Sequence, residues 1–135
     1  MQPVPENHPA RLPLLVGAAY FLLVSLAHAA GLKVPGLFVY FSVPSLAYQD
    51  RIISLLAFGW ASFLLATAVR PSPSHLLATL VSGLAAIGML LRIDLTTPFA
   101  SIDRSIEPRW FLAETLMLAL YWCWLLLAAL RTLRR

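Results

Sequence analysis

The chain has 135 residues, 60% of them hydrophobic and only 12% charged, with a formal charge of +4. A soluble domain carries about 25% charged residues, so this chain cannot cover itself with polar side chains and needs a lipid bilayer, other membrane subunits or copies of itself around it. The excess positive charge sits at the ends of apolar runs, as at Arg131, Arg134 and Arg135, which fits membrane anchoring and not a basic face for nucleic acid.

Residues 1–11 are polar and proline-rich and read as a short flexible or extended tail. The first apolar run spans 12–30 and contains one strongly polar side chain, His28. Roughly 20 helical residues cross the hydrocarbon core, so the run is just long enough. Arg11, the stretch Leu12–Leu26 and Ala27-His28-Ala29 also resemble a signal peptide with its cleavage site. The basic segment before the run is weak, one arginine opposed by Glu6, and a retained helix is the preferred reading.

The connection that follows is too apolar for an ordinary loop and is broken by Pro35 and Pro44, which remove backbone donors. Tyr40 and Tyr48 suit the headgroup level. An interfacial or shallow re-entrant segment over 33–48 is expected; the alternative is a low-lying start of helix 2 near Ser45. The second span covers 52–70 and is stopped by Pro71 and Pro73, after which Ser74 is placed to cap the next helix.

The third span, 75–93, is short and needs the long Arg92 side chain to reach the interface. Ala78, Ser82 and Ala86 recur every four residues, as do Thr79 and Gly83. Small residues at this spacing let helices approach closely in lipid and predict a central place for this helix. Residues 95–109 form the most polar connection. The fourth span, 109–130, follows Pro108, a residue tolerated in a first helical turn, and Trp110 can anchor one interface. Tyr121, Trp122 and Trp124 read as packing or lipid contacts. The fold class expected is all-α: an integral membrane bundle of four transmembrane helices in a single domain.

Four spans put both termini on one side. That side holds Arg11, Arg70, Arg131, Arg134 and Arg135; the other holds Lys33, Arg51, Arg92, Arg104 and Arg109. The basic residues tie. Acids break the symmetry, Glu6 against Asp50, Asp94, Asp103, Glu107 and Glu114, and leave the terminal side with the freer positive charge, which places the termini in the cytoplasm.

The same charges make the one candidate site. Asp50, Arg51, Arg92, Asp94, Asp103, Arg104, Glu107, Arg109 and Glu114 all lie at one end of the bundle, with His28 near them. Charges close to hydrocarbon tend to pair, so they are expected either to form a polar mouth for a small molecule or to tie helix ends together. Glu114 falls about one turn inside helix 4 and needs a cation, for which Arg92 and Arg51 are available, or a proton. His28 and His75 lie near opposite faces, roughly 30 Å of hydrocarbon apart, so they cannot share a haem; no cofactor is expected. Metal-ligand spacing and a paired Ser and His are absent from the sequence. A lone cysteine, Cys123, excludes an intrachain disulfide and a Cys-x-x-Cys redox motif.

The length, the four spans, Asp50-Arg51 followed by Leu55-Leu56-Ala57-Phe58-Gly59-Trp60, and the Arg92-Ile93-Asp94 exit from helix 3 give the chain its likeness. It resembles the small four-helix bacterial membrane proteins of the DoxX-like and BphX-like groups. The resemblance implies a fold and carries over no catalytic residue. Three functions are open at this point. The first is an accessory or structural subunit of a membrane assembly. The second is a small-molecule binder or transporter acting as an oligomer through the charge cluster. The third is a membrane redox or quinone-associated protein.

Overall fold

A computed structural model of the chain describes residues 8–38 and 40–134. Among these residues there are helices and no strands: α1 (Arg11–Ala29), α2 (Ala47–Val69), α3 (Pro73–Thr96), the short α4 (Phe99–Ile102) and α5 (Pro108–Leu133). All but α4 are long and apolar enough to cross a membrane. Of the expected tail, residues 1–7 lie outside the described part. His8–Ala10 turn directly into α1, where the Ala10 N–H donates to Thr132 Oγ1 of α5 at 3.2 Å.

The four long helices run alternately up and down. α1 and α2 pack closest, because small residues face each other: Ala18 and Ser25 on α1, and Ser54, Ala57, Ala61 and Ala68 at helical spacing on α2 are all buried. The Ser54 hydroxyl donates to the Ser25 carbonyl across this seam at 2.9 Å. α3 and α5 form the second pair. Trp122 lies against Gly83, where a Cβ atom would collide with the indole ring, and its Nε1–H donates to the Leu80 carbonyl at 3.0 Å. α1 meets α5 where Gly17 leaves room for Tyr121, whose hydroxyl donates to the Pro13 carbonyl at 2.9 Å.

α3 does not occupy the centre that its small residues led us to expect. Only 17% of its most apolar stretch is buried, against 39% for α1. Thr79 and Gly83 face inward, but Ala78, Ser82 and Ala86 are exposed. Its N-cap also differs from the expectation. Ser72, not Ser74, accepts the His75 N–H at 3.1 Å, because Pro73 takes the first helical position. Ser72→Ala is expected to lower stability by about 1 kcal/mol, measurable as an earlier thermal unfolding transition in detergent.

The end that holds Ala10, Thr132 and the Arg70–Ser72 link is solidly packed around Leu14, Leu64, Leu76, Leu125 and Ala129. The opposite end is built from the two longer connections. α1 stops in a Schellman motif: Gly31 has φ +67°, its N–H bonds to the His28 carbonyl, and the Leu32 N–H bonds to the Ala27 carbonyl. The chain then folds back over the bundle end. Phe99, Ile106 and Phe111 form a second small core there, covered by Tyr40, Phe41 and Val43. α2 begins at Ala47, five residues before Ile52 and close to the alternative start near Ser45, because the Gln49 side chain accepts the Leu46 N–H at 3.0 Å and closes the first turn.

Candidate ligand cavity

α2 and α3 touch little beyond their short link. Past the Trp60–Trp122 contact, at 6.3 Å between ring centroids, they leave a cavity of about 770 Å³, inside the usual range for small-molecule sites. Helical spacing explains its walls. Tyr20, Phe21, Val24 and His28 share one face of α1; Ile53, Ala57 and Trp60 share one of α2; Gly83, Ile87 and Leu90 share one of α3. Ala86 and Ala57 are too small to fill the space between these faces. From Gln49 to Trp60 the cavity extends about 16 Å at 1.5 Å per residue. Ile53 and Leu56 line it yet are exposed, so its side between α2 and α3 opens to the surroundings of the bundle.

The walls are almost wholly apolar. At the connection end the cavity reaches two buried polar groups, His28 and Asp50, which are 5% and 8% exposed. His28 Nδ1 and Asp50 Oδ1 stand 3.7 Å apart, and both lack a hydrogen-bond partner. That separation exceeds the 2.7–3.2 Å range of a hydrogen bond. A buried polar atom without a partner costs about 1–3 kcal/mol. The rest of each side chain is held: the His28 ring stacks on Phe38 at 3.5 Å, and Asp50 Oδ2 accepts the Ser45 hydroxyl at 3.1 Å. The pair is therefore fixed in place, and its two facing atoms lie too deep for a water molecule to touch.

The expected charge cluster divides into three groups. His28 and Asp50 form the first. Asp94 and Glu114 belong to a second, between α3, α5 and the first connection. Asp94 accepts hydroxyls from Tyr40 at 3.1 Å and Thr115 at 2.7 Å. Burial, reinforced by the Asp94 carboxylate, pushes the Tyr40 phenol well above its ordinary value, so it stays a donor. Glu114 is buried and takes as its partner the Gly36 N–H, at 2.7 Å, not Arg92 or Arg51. Tyr20 donates to the carbonyl of the same Gly36 at 2.8 Å, and Gly36 has φ +81°, which favours glycine. The third group is exposed and lies on the second connection. Glu107 accepts Arg109 at 2.7 Å and Trp110 Nε1–H at 3.0 Å, and these hydrogen bonds, that from Arg109 foremost, hold its carboxyl below the usual range. The Ser105 N–H does the same for Asp103. Arg51, Arg92 and Arg104 are exposed and enter no ion pair among the described residues.

The aromatic cavity floor, Trp60 and Trp122, and the clamp residues Phe38 and Ser45 escape a reading of charges. The usable signal is the four-residue spacing of Tyr20, Val24 and His28, a largely apolar stripe ending in a histidine. No family model matches the chain, and neither a curated protein nor a solved structure matches it. The resemblance to the DoxX-like and BphX-like groups rests on the sequence features alone.

Proposed function

We propose that the chain crosses the bilayer four times, with both termini in the cytoplasm, and binds a lipophilic small molecule in the cavity between α2 and α3. The observation that carries this reading is the cavity itself: about 770 Å³ of apolar space whose lining at one end includes the polar residues His28 and Asp50. That is the composition of small-molecule sites in general, apolar walls with a few placed polar groups. The walls come from one chain, which supports a binder that works without a second copy. The same observation ranks this function above an accessory subunit, which has no use for such a cavity.

The experiment compares the wild type with Ala86→Trp, which projects an indole into the cavity from its exposed α3 wall. Both are purified in mild detergent, and their bound small molecules are extracted and identified by mass spectrometry. A lipophilic compound is expected at near-stoichiometric amount in the wild type and depleted by about ten-fold in the variant, the equivalent of ~1.4 kcal/mol. Equal recovery from both proteins, with both folded by circular dichroism, sinks the proposal.

A further inference from the structure

We infer that the end of the bundle bearing Arg70, Arg131 and Arg134 holds an anionic phospholipid, its phosphate on the guanidinium groups and an acyl chain along Leu127 and Leu130; this rests on the membrane embedding proposed above and not on the cavity. The first observation is where the arginines stand. Ala68 on α2 and Ala129 on α5 belong to one buried cluster, together with Ala10 and Leu14 of the α1 end. Arg70 and Arg131 each follow two residues after a member of that cluster, so α2 and α5 carry them out of the same packed end. Arg134 lies one turn past Arg131, and its N–H still donates to the Leu130 carbonyl at 3.2 Å.

The second observation is the charge around them. All three arginines are exposed, and none enters an ion pair among the described residues. The described segments that meet at this end, 8–13, 69–76 and 129–134, contain no aspartate or glutamate. At the opposite end, exposed Asp103 and Glu107 stand among Arg104 and Arg109. The positive charge of the first end is thus left for an anion from outside the chain. A guanidinium group matches a phosphate with two parallel N–H···O bonds, and arginines at a membrane surface draw anionic lipids to it.

The third observation separates a lipid from a free anion. Leu127 and Leu130 are exposed and stand four residues before Arg131 and Arg134, so each leucine adjoins an arginine on the helix surface, on the side of the middle of the span. Val69, beside Arg70, is exposed as well. Inorganic phosphate would use the cations and leave this apolar surface untouched. An amphiphile with a phosphate head and a hydrocarbon tail uses both. A zwitterionic lipid fits worse, because its own ammonium group brings positive charge to a positive surface.

The test uses the full chain in mild detergent, mixed with equal amounts of phosphatidylglycerol and phosphatidylcholine of the same acyl chains, and reads the retained lipid by native mass spectrometry. Phosphatidylglycerol is expected to be retained about ten-fold over phosphatidylcholine, and the preference to fall to about two-fold or less in the triple variant Arg70→Gln, Arg131→Gln, Arg134→Gln. The triple variant Arg51→Gln, Arg92→Gln, Arg104→Gln removes the same charge from the opposite end and is expected to keep the preference. Should the first triple variant fail to fold by circular dichroism, the three single variants decide, each expected to lose about two-fold. Equal retention of the two lipids by the wild type overturns the inference. So does a preference that survives the first set of substitutions, or one that the second set removes equally. Displacement of phosphatidylglycerol by an excess of inorganic phosphate would make this a site for a free anion and overturn the lipid assignment. None of these outcomes touches the cavity, which the Ala86→Trp comparison tests separately.

Discussion

Gly83→Ala is expected to destabilise the protein by about 1–3 kcal/mol, the cost of forcing an extra methyl into a filled site. The same change at Gly88 is expected to leave stability unaltered or raise it by up to ~1 kcal/mol, the helix-propensity gain of alanine over glycine. The contrast follows from their surroundings. A Cβ at Gly83 would overlap the Trp122 ring, whereas at Gly88 nothing stands within 4 Å. Trp122 can relieve the clash only by leaving Gly83, which breaks its hydrogen bond to the Leu80 carbonyl and removes half of the cavity floor. Thermal unfolding of both variants in the same detergent reads the difference. Equal transitions would mean that Trp122 does not press on α3 at this point.

A second large effect is expected at Glu114, and it depends on which atom is removed. Glu114→Ala strips the Gly36 N–H of its partner and releases the first connection from α5. Leaving a buried N–H without its partner costs about 1–3 kcal/mol, and trypsin should cut after exposed Lys33 about ten-fold faster or more. Glu114→Gln keeps an acceptor at Oε1. It also removes a buried carboxylate whose second oxygen has no partner, so protection and stability are expected to equal or exceed those of the wild type. If the alanine variant is protected as well as the glutamine variant, the Gly36 bond is not what holds the connection down.

The helices are legible in the sequence because about twenty consecutive apolar residues leave few other structures open. Their ends are less so, since they turn on single side chains. Gln49 extends α2 backward by reaching the Leu46 N–H, and Pro73 shifts the α3 cap to Ser72. The stripe of Ala78, Ser82 and Ala86 marks a smooth face but not a partner for it. The closest seam belongs to Ala57, Ala61 and Ala68, an equally plain stripe on α2. The site is hidden by adjacency: Asp50-Arg51 reads as a pair, yet successive helical residues point about 100° apart, so Asp50 turns inward to His28 while Arg51 faces out. Arg92 and Asp94 part in the same way. Charge patterning thus finds the end of the bundle where His28 and Asp50 are buried, and pairs the charges wrongly.

The gap between α2 and α3 has a consequence for how any occupant must be chosen. For a chain embedded as proposed, the competitor at that opening is not water but the acyl chains of the surrounding lipid, which are as apolar as the walls. Exchanging one hydrocarbon for another releases almost no free energy. Occupancy then follows the mole fraction of the compound in the leaflet, and discrimination falls to how well its shape fits the slot. A protein of this design would sort the minor components of a membrane by their shape and not by their apolarity.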